Sequence, residues 1–343
     1  MKFSIIVPVY NAESFLKGSL NSALNQVRGE WGFEVVVVDD GSKNSSGRIC
    51  RDLEAAHKGE LVYFRQNNAG TFLARKKGIE LASGDYLLFL DGDDELRADA
   101  LKVLACKLNN NRPSVAVFGA SRNRGFSPDR LTSTVALTHG GGEGDALFFY
   151  REALLCGDSQ NSLWTKVVAR DVALKALGKI DIGRMTVSED RLLNIAIANE
   201  ASSVLAIDEC LYFYRPNLEG VSFSEYRRAH LRDYLACHEL AEGFVRSWSN
   251  VDKARKLSTQ TLAHVCSEFL LPSFLELSKE RKAEEFAWVN SQAAFREAVA
   301  NVDRENLRLW HRVALSTIEN RSPALLSAMS KSIQAIKCMR GNL

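Results

Sequence analysis

No two cysteines in this chain stand at C-x-x-C spacing. The seven, Cys50, Cys106, Cys156, Cys210, Cys237, Cys266 and Cys338, are odd in number and scattered. That argues against a disulfide framework or a zinc site and reads as reduced, buried thiols of a cytoplasmic protein. Long apolar runs are also missing: none approaches the roughly 18 residues a membrane span needs. The opening Lys2-Phe3-Ser4-Ile5-Ile6-Val7-Pro8 is interrupted too early to read as a secretory signal. Any membrane contact is therefore expected to be peripheral. Nor is there an excess of one charge, with 44 Lys+Arg against 42 Asp+Glu and a net of +2. No global field points to nucleic acid, and no nucleic-acid partner is expected. Finally, no G-x-G-x-x-G follows the first strand-like run, which argues against a nicotinamide dehydrogenase, where glycines must let the pyrophosphate approach.

What is present is enough for a large core, since 46% of 343 residues are hydrophobic. The first half alternates strand and helix patterns. Phe3 to Val9 and Glu34 to Val38 are apolar almost throughout, as strands buried on both faces are. Further strands are expected at Leu61 to Phe64, Tyr86 to Leu90, Ser114 to Gly119, Val204 to Ile207 and Cys210 to Tyr214. Helices are expected between them, including Thr71 to Ala82 and about Thr165 to Leu177. The series is an α/β nucleotide-binding type of sheet, mostly parallel and flanked by helices. His139 to Asp145, rich in glycine, reads as a loop. After Ser224 the pattern becomes helical to the end, which divides the chain into 1–224 and 225–343.

Three expected strand ends carry polar, turn-forming groups: Pro8-Val9-Tyr10-Asn11, Asp39-Asp40-Gly41-Ser42 and Asp91-Gly92-Asp93-Asp94-Glu95. Acidic clusters next to glycine are ordinary solvated turns. Hard divalent cations, however, take oxygen ligands, and a site for a phosphate-bearing substrate uses one or two carboxylates. The location decides between these, because open α/β sheets bind ligands in the crevice beyond the carboxyl ends of their strands.

"SIIVPVYNAESFL", "VVVVDDGSKNSSG", "RQNNAGTFLARKKGIELASGDYLLFLDGDDEL" and "SEDRLLN" together resemble, in order and spacing, the family 2 glycosyltransferases with the GT-A fold. The resemblance runs from about Lys2 to Ser224. It implies an inverting transfer of a sugar from a UDP-sugar to a hydroxyl of a saccharide or lipid-linked saccharide, with Mn²⁺ or Mg²⁺ as cofactor. By the same resemblance Asp40 reads the uracil edge, and Pro8 and Tyr10 wall the base and ribose. Asn68 and Arg75 contact the donor, although Lys76 stands where the family commonly has Asn. Asp91 and Gly92 lie at the ribose and sugar, Asp93 ligates the cation, and Asp190 is the base with Glu189 beside it. Arg215 and Ser222 are candidates for the pyrophosphate.

Asp94 and Glu95 are expected to face solvent or open the next helix, and Ser188 to cap the helix bearing Asp190. Trp164 reads either as a sugar platform or as core. Leu325, Leu326, Met329, Ile333 and Ile336 share one face of a helix flanked by Lys331, Lys337 and Arg340. That helix docks on protein, or alternatively rests peripherally on an anionic membrane. Arg227-Arg228 and Arg281-Lys282 read as solvated surface. Two rival functions are a non-catalytic sugar-nucleotide or glycan-binding module, disfavoured by the presence of both expected ligand and base, and a processive synthase, disfavoured by the lack of membrane spans and of a Q-x-x-R-W motif.

Overall fold

A computed structural model describes residues 1–127, 143–156, 160–216, 225–248 and 251–321. The chain divides into two compact units, Met1–Met185 with Glu189–Asn217, and Thr186–Ser188 with Leu218–Leu343.

The first unit is built on one eight-stranded mixed sheet. Its first half runs β1 (Lys2–Val9), α1 (Glu13–Leu24), β2 (Gly32–Asp39), α2 (Ser46–Ala56), β3 (Leu61–Arg65), α3 (Thr71–Leu81) and β4 (Tyr86–Phe89). Then follow β5 (Glu95–Leu96), α4 (Ala100–Leu108), β6 (Val115–Ser121), β7 (Lys166–Ala169) and β8 (Val204–Phe213). The order across the sheet is β3-β2-β1-β4-β7-β6-β8-β5. Strands β3, β2, β1 and β4 are mutually parallel, so their carboxyl ends open on the same edge. Val35 to Val38 are wholly buried, as the unbroken β-branched run requires of a central strand. Helix α3 lies close on β1 because Gly78 has no side chain: a Cβ there would stand 2.4 Å from Ile6 Cγ2.

The structure departs from the sequence expectations in several places. Lys166–Ala169 is a strand, and only Arg170–Leu177 is helical. The short Lys-Val-Val-Ala run fills a gap between β4 and β6, pairing antiparallel with both, so tertiary pairing overrides helical spacing. Glu143–Cys156 is a helix, which replaces the end of the expected loop, while 139–142 lie outside the described residues. The two expected strands after Val204 are one, with register shifts opposite Phe118, Gly119 and Ala120. Ser188 has φ +65°, in the left-handed region rather than the extended conformation of an N-cap.

In the second unit, helices Arg228–Ser247, Val251–Phe269, Lys279–Ser291, Ala293–Asn301 and Leu309–Glu319 enclose their own core. Phe269, Phe274 and Phe286 pack edge-on within it, beside Leu231, Leu262, Phe295 and Leu315. Two of the basic residues expected on the solvated surface are engaged. Lys282 is buried and donates to the Leu275 carbonyl at 2.6 Å, and Arg228 donates to both carboxylate oxygens of the buried Glu285. Among the described residues no helix is long and apolar enough to cross a membrane. The expected amphipathic helix over 325–336 lies outside the described residues.

Candidate active site

Strand β4 ends at Phe89, and the next residues turn sharply, with the Asp94 N–H donating to the Asp91 carbonyl at 3.1 Å. Gly92 is buried in this turn. A Cβ there would meet Ala12 Cβ at 3.3 Å and the Pro8 carbonyl at 3.6 Å, so the turn lies against the end of β1. The side chains of Asp91 and Asp93 remain partly accessible.

Arg75 gathers the acids. It stands on α3 with its side chain only 5% exposed. Nη2 donates to Asp91 Oδ1 at 2.9 Å, Nη1 donates to Asp190 Oδ1, and Glu189 Oε1 lies 3.8 Å from Nη1. Burial works against the charged guanidinium, but Asp190, Asp91 and Glu189 outweigh it and raise its pKa above the ordinary value. Glu189 and Asp190 open the helix Glu189–Glu200, 115 residues after Arg75 in the case of Asp190. Both are raised, first by burial; Asp190 raises Glu189 further, and Asp91 raises both. Asp190 also accepts weakly from the Leu163 N–H at 3.5 Å. The loop carrying Leu163 is shaped from beneath by Lys166, whose buried ammonium donates to the Ser162 carbonyl at 2.5 Å and to Thr165 Oγ1 at 3.2 Å. Burial lowers the Lys166 pKa to about 7, opposed by Asp190.

Asp93 is raised by burial and by Asp91. Asp94, expected to face solvent or start a helix, is 1% exposed and does neither. Its Oδ1 accepts from the Arg215 N–H at 2.8 Å and its Oδ2 from the Tyr212 hydroxyl at 2.7 Å. Burial and Asp91 push its pKa up to about 8. Glu95 also starts no helix: it begins β5 and accepts from Arg215 Nη2 at 2.7 Å and Arg124 Nη2 at 2.6 Å. Of these acids Asp93, partly accessible beside Asp91, offers the hard oxygen donors that suit Mg²⁺ or Mn²⁺.

The expected nucleotide residues gather at the ends of β1 and β2. Pro8 pairs with Val38, and Tyr10 is 48% exposed. Asp40 is buried and accepts from the N–H groups of Ala69 and Gly70, both at 2.8 Å, and from Gln66 Nε2 at 2.9 Å. It thereby anchors the segment that leads into α3, where Gly70 takes φ +97°. Its neighbour Asp39 is fully buried, bound by the Ser42 N–H, the Tyr63 hydroxyl and Arg65. Asn68 is exposed, and Lys76 lines a groove with Phe64, Gln66 and Leu73. The Arg215 side chain donates from Nε to the Asp93 carbonyl at 2.7 Å and lies over the Phe15 ring. Ser222 lies outside the described residues. Trp164 is partly buried and stacks on Tyr212 and Tyr214 at 4.8 and 5.4 Å. Asp94 was misassigned from the sequence, and Tyr212 and Lys166 were given no role in the site. The available signals were a third acid directly after D-x-D and a lone hydroxyl in the otherwise apolar Leu211-Tyr212-Phe213.

The sequence profile described as "Glycosyl transferase family 2" matches residues 4–157. That span contains the acidic turn, Asp40 and Arg75. Over that span the chain is similar to glycosyltransferase family 2. Among its curated relatives, the glycosyltransferase GlyA of Streptococcus pneumoniae serotype 4 is 29% identical over 238 residues, covering 62% of this chain and 30% of GlyA. The uncharacterized glycosyltransferase EpsJ of Bacillus subtilis is 28% identical over 230 residues, covering 66% of this chain and 64% of EpsJ. The chain thus spans less than two thirds of either relative. The structure of Staphylococcus aureus TarS 1–349 in complex with UDP-GlcNAc superposes with a TM-score of 0.70 at 22% identity, covering 98% of this chain and 92% of that one. The chain has the GT-A fold, a mixed sheet flanked by helices and followed by further helices.

Proposed function

We propose that this chain is a family 2 glycosyltransferase that moves a sugar, with inversion, from a UDP-sugar to a hydroxyl of a saccharide or lipid-linked saccharide in bacterial surface-polymer synthesis. The observation that carries the reading is the bridging of Asp91 and Asp190 by Arg75. It brings the D-x-D turn and the expected base to one place at the carboxyl edge of the parallel strands. The UDP-GlcNAc held in the TarS complex favours an N-acetylhexosamine donor. Relatives such as the putative teichuronic acid biosynthesis glycosyltransferase TuaG of Bacillus subtilis favour a cell-surface acceptor.

Asp93, with Asp91 beside it, would hold a divalent cation, which when bound supplies positive charge to offset that left on the nucleotide diphosphate. The remaining steps belong to the chain itself. Tyr10 and Pro8 flank the base, and Asp40 reads its edge while anchoring the loop before α3. Asp190 takes the acceptor proton as the hydroxyl attacks the anomeric carbon, because an alcohol is too weakly acidic to ionise first. Burial raises its pKa from the ordinary value, which makes it a better proton acceptor, while Arg75 opposes that rise and favours the ionised form. Glu189 orients the acceptor. One in-line displacement, in which the acceptor oxygen bonds the anomeric carbon as the nucleotide diphosphate leaves, yields a β-linked product from an α-linked donor. Residues 1–224 are assigned to this chemistry and 225–343 to a helical accessory region.

Calorimetric titration against UDP-, GDP-, CMP- and dTDP-sugars, each with Mn²⁺ and with EDTA, tests the reading. Binding of one UDP-sugar that is lost in EDTA is the expected result. Preference for another nucleotide, or no binding at all, would overturn the donor assignment.

A further inference from the structure

Asp91, Asp93 and Asp94 place three carboxylates within four residues, and a turn so charged tends to splay in the absence of a cation. Four hydrogen bonds from one segment hold it. Tyr212, fully buried on β8, accepts from the Asp91 N–H at 3.2 Å and donates to Asp94 Oδ2 at 2.7 Å. Three residues further on, Arg215 donates its N–H to Asp94 Oδ1 and its Nε–H to the Asp93 carbonyl. Both oxygens of Asp94 therefore accept from groups of 212–215. A buried Tyr–Asp pair is usually just a satisfied piece of core, and one bond would be enough for that. Here three consecutive acids of the turn, apart from Gly92, are each tied to the same stretch of β8 and its extension.

The ring of Tyr212 continues the chain of contacts. Trp164 stacks on it with an interplanar angle of 23°, and the next residue back, Leu163, offers its N–H to Asp190. One tyrosine thus touches the cation turn with its hydroxyl and, with its ring, the loop whose Leu163 N–H donates to Asp190.

We infer that Asp94 and Tyr212 form a brace that positions Asp91 and Asp93 for the cation-bound nucleotide diphosphate and fixes that turn relative to Asp190. Asp94 is then a positioning residue and not a ligand. The inference rests on the cation reading above and deepens it.

Tyr212→Phe keeps the ring and its stacking but removes the hydroxyl, and Asp94→Asn keeps one acceptor oxygen. UDP is titrated into wild type and both variants with Mn²⁺ and with EDTA, alongside thermal melts. In Tyr212→Phe the ratio of Mn²⁺ to EDTA affinity is expected to fall by about tenfold, in line with loss of one buried hydrogen bond. Asp94→Asn should fall by less. Affinity in EDTA should stay within about twofold, because the base contacts assigned to Tyr10 and Asp40 involve neither Tyr212 nor Asp94. A merely structural role would lower the melting temperature while leaving the ratio as in wild type, and that result would overturn the brace alone. A wild type whose UDP affinity is equal in Mn²⁺ and EDTA would sink the cation reading and the brace with it.

Discussion

Arg75 shows what a planar, forked cation does that an ammonium does not. Its two terminal nitrogens reach carboxylates from two separate elements, Asp91 after β4 and Asp190 on a later helix, at a distance a single point charge spans poorly. Asp190 therefore carries two jobs, one half of this pair and proton acceptor in the transfer. Asp190→Asn keeps the shape and a hydrogen-bond acceptor for Arg75, so UDP affinity should be nearly unchanged. Initial rates of sugar transfer should fall by roughly 10²–10⁴, the usual contribution of a positioned base. Unaltered turnover would remove Asp190 from the chemistry. At this scale the acids themselves were legible in the sequence, since D-x-D and S-E-D stand out as short strings. Their pairing was not. Arg75 was expected, by resemblance, to contact the donor, and nothing local announces that it closes a contact 115 residues away. Asp94 was misread for the same reason, because its burial is decided by Tyr212, far along the chain.

Among the elements, the amino-terminal edge of β1, β2 and β4 is held by an acid that the function does not use. Glu34 on β2 accepts from Lys2 Nζ at 2.7 Å, Ser4 Oγ at 2.6 Å and the Ser83 N–H at 2.6 Å, linking β1 and the turn before β4. Burial alone would raise its pKa; the bonds from Lys2, Ser4 and Ser83 prevail together and bring it down to about 2 from 4.5. A depressed folded pKa gives stability that is complete above pH 4.5 and drains away as pH falls towards 2. At roughly 1.4 kcal/mol per pKa unit this amounts to about 3 kcal/mol at neutral pH. Urea melts of Glu34→Gln should show a loss of that order at pH 7 and a flatter acid limb; a limb as steep as wild type would disprove the assignment. The parallel strands were legible because runs such as Val35 to Val38 have no other reading. Strand β7 was not, since four residues show too little periodicity and its pairing with β4 and β6 exists only once the sheet has formed.

At the scale of the whole molecule, the two units answer to acid differently. In the helical unit His311 is buried on Leu309–Glu319 with Nε2 at 3.1 Å from Ser267 Oγ. Burial first, then Arg308 and His264, lower its pKa from 6.5 to about 4. Folding therefore prefers the neutral ring, and its contribution is complete above pH 6.5 and lost as pH falls towards 4, above the range in which Glu34 gives way. Following helical circular dichroism in urea between pH 7 and 4 should show a decline that His311→Gln reduces. An identical decline in the variant would assign the sensitivity to other groups.

The sheet of the first unit has two ends, and they are unequal. At one, β3 offers five residues, with Val62 exposed. At the other, β5 offers only Glu95 and Leu96, directly after the acidic turn. A free edge is where foreign strands add and aggregation begins, and a two-residue edge followed by Arg97 gives an incoming strand almost nothing to pair with. The turn that gathers the carboxylates thus also carries the short strand that covers Tyr212 and Phe213, so shortening or straightening it would uncover that end of β8 as well as disturbing the site.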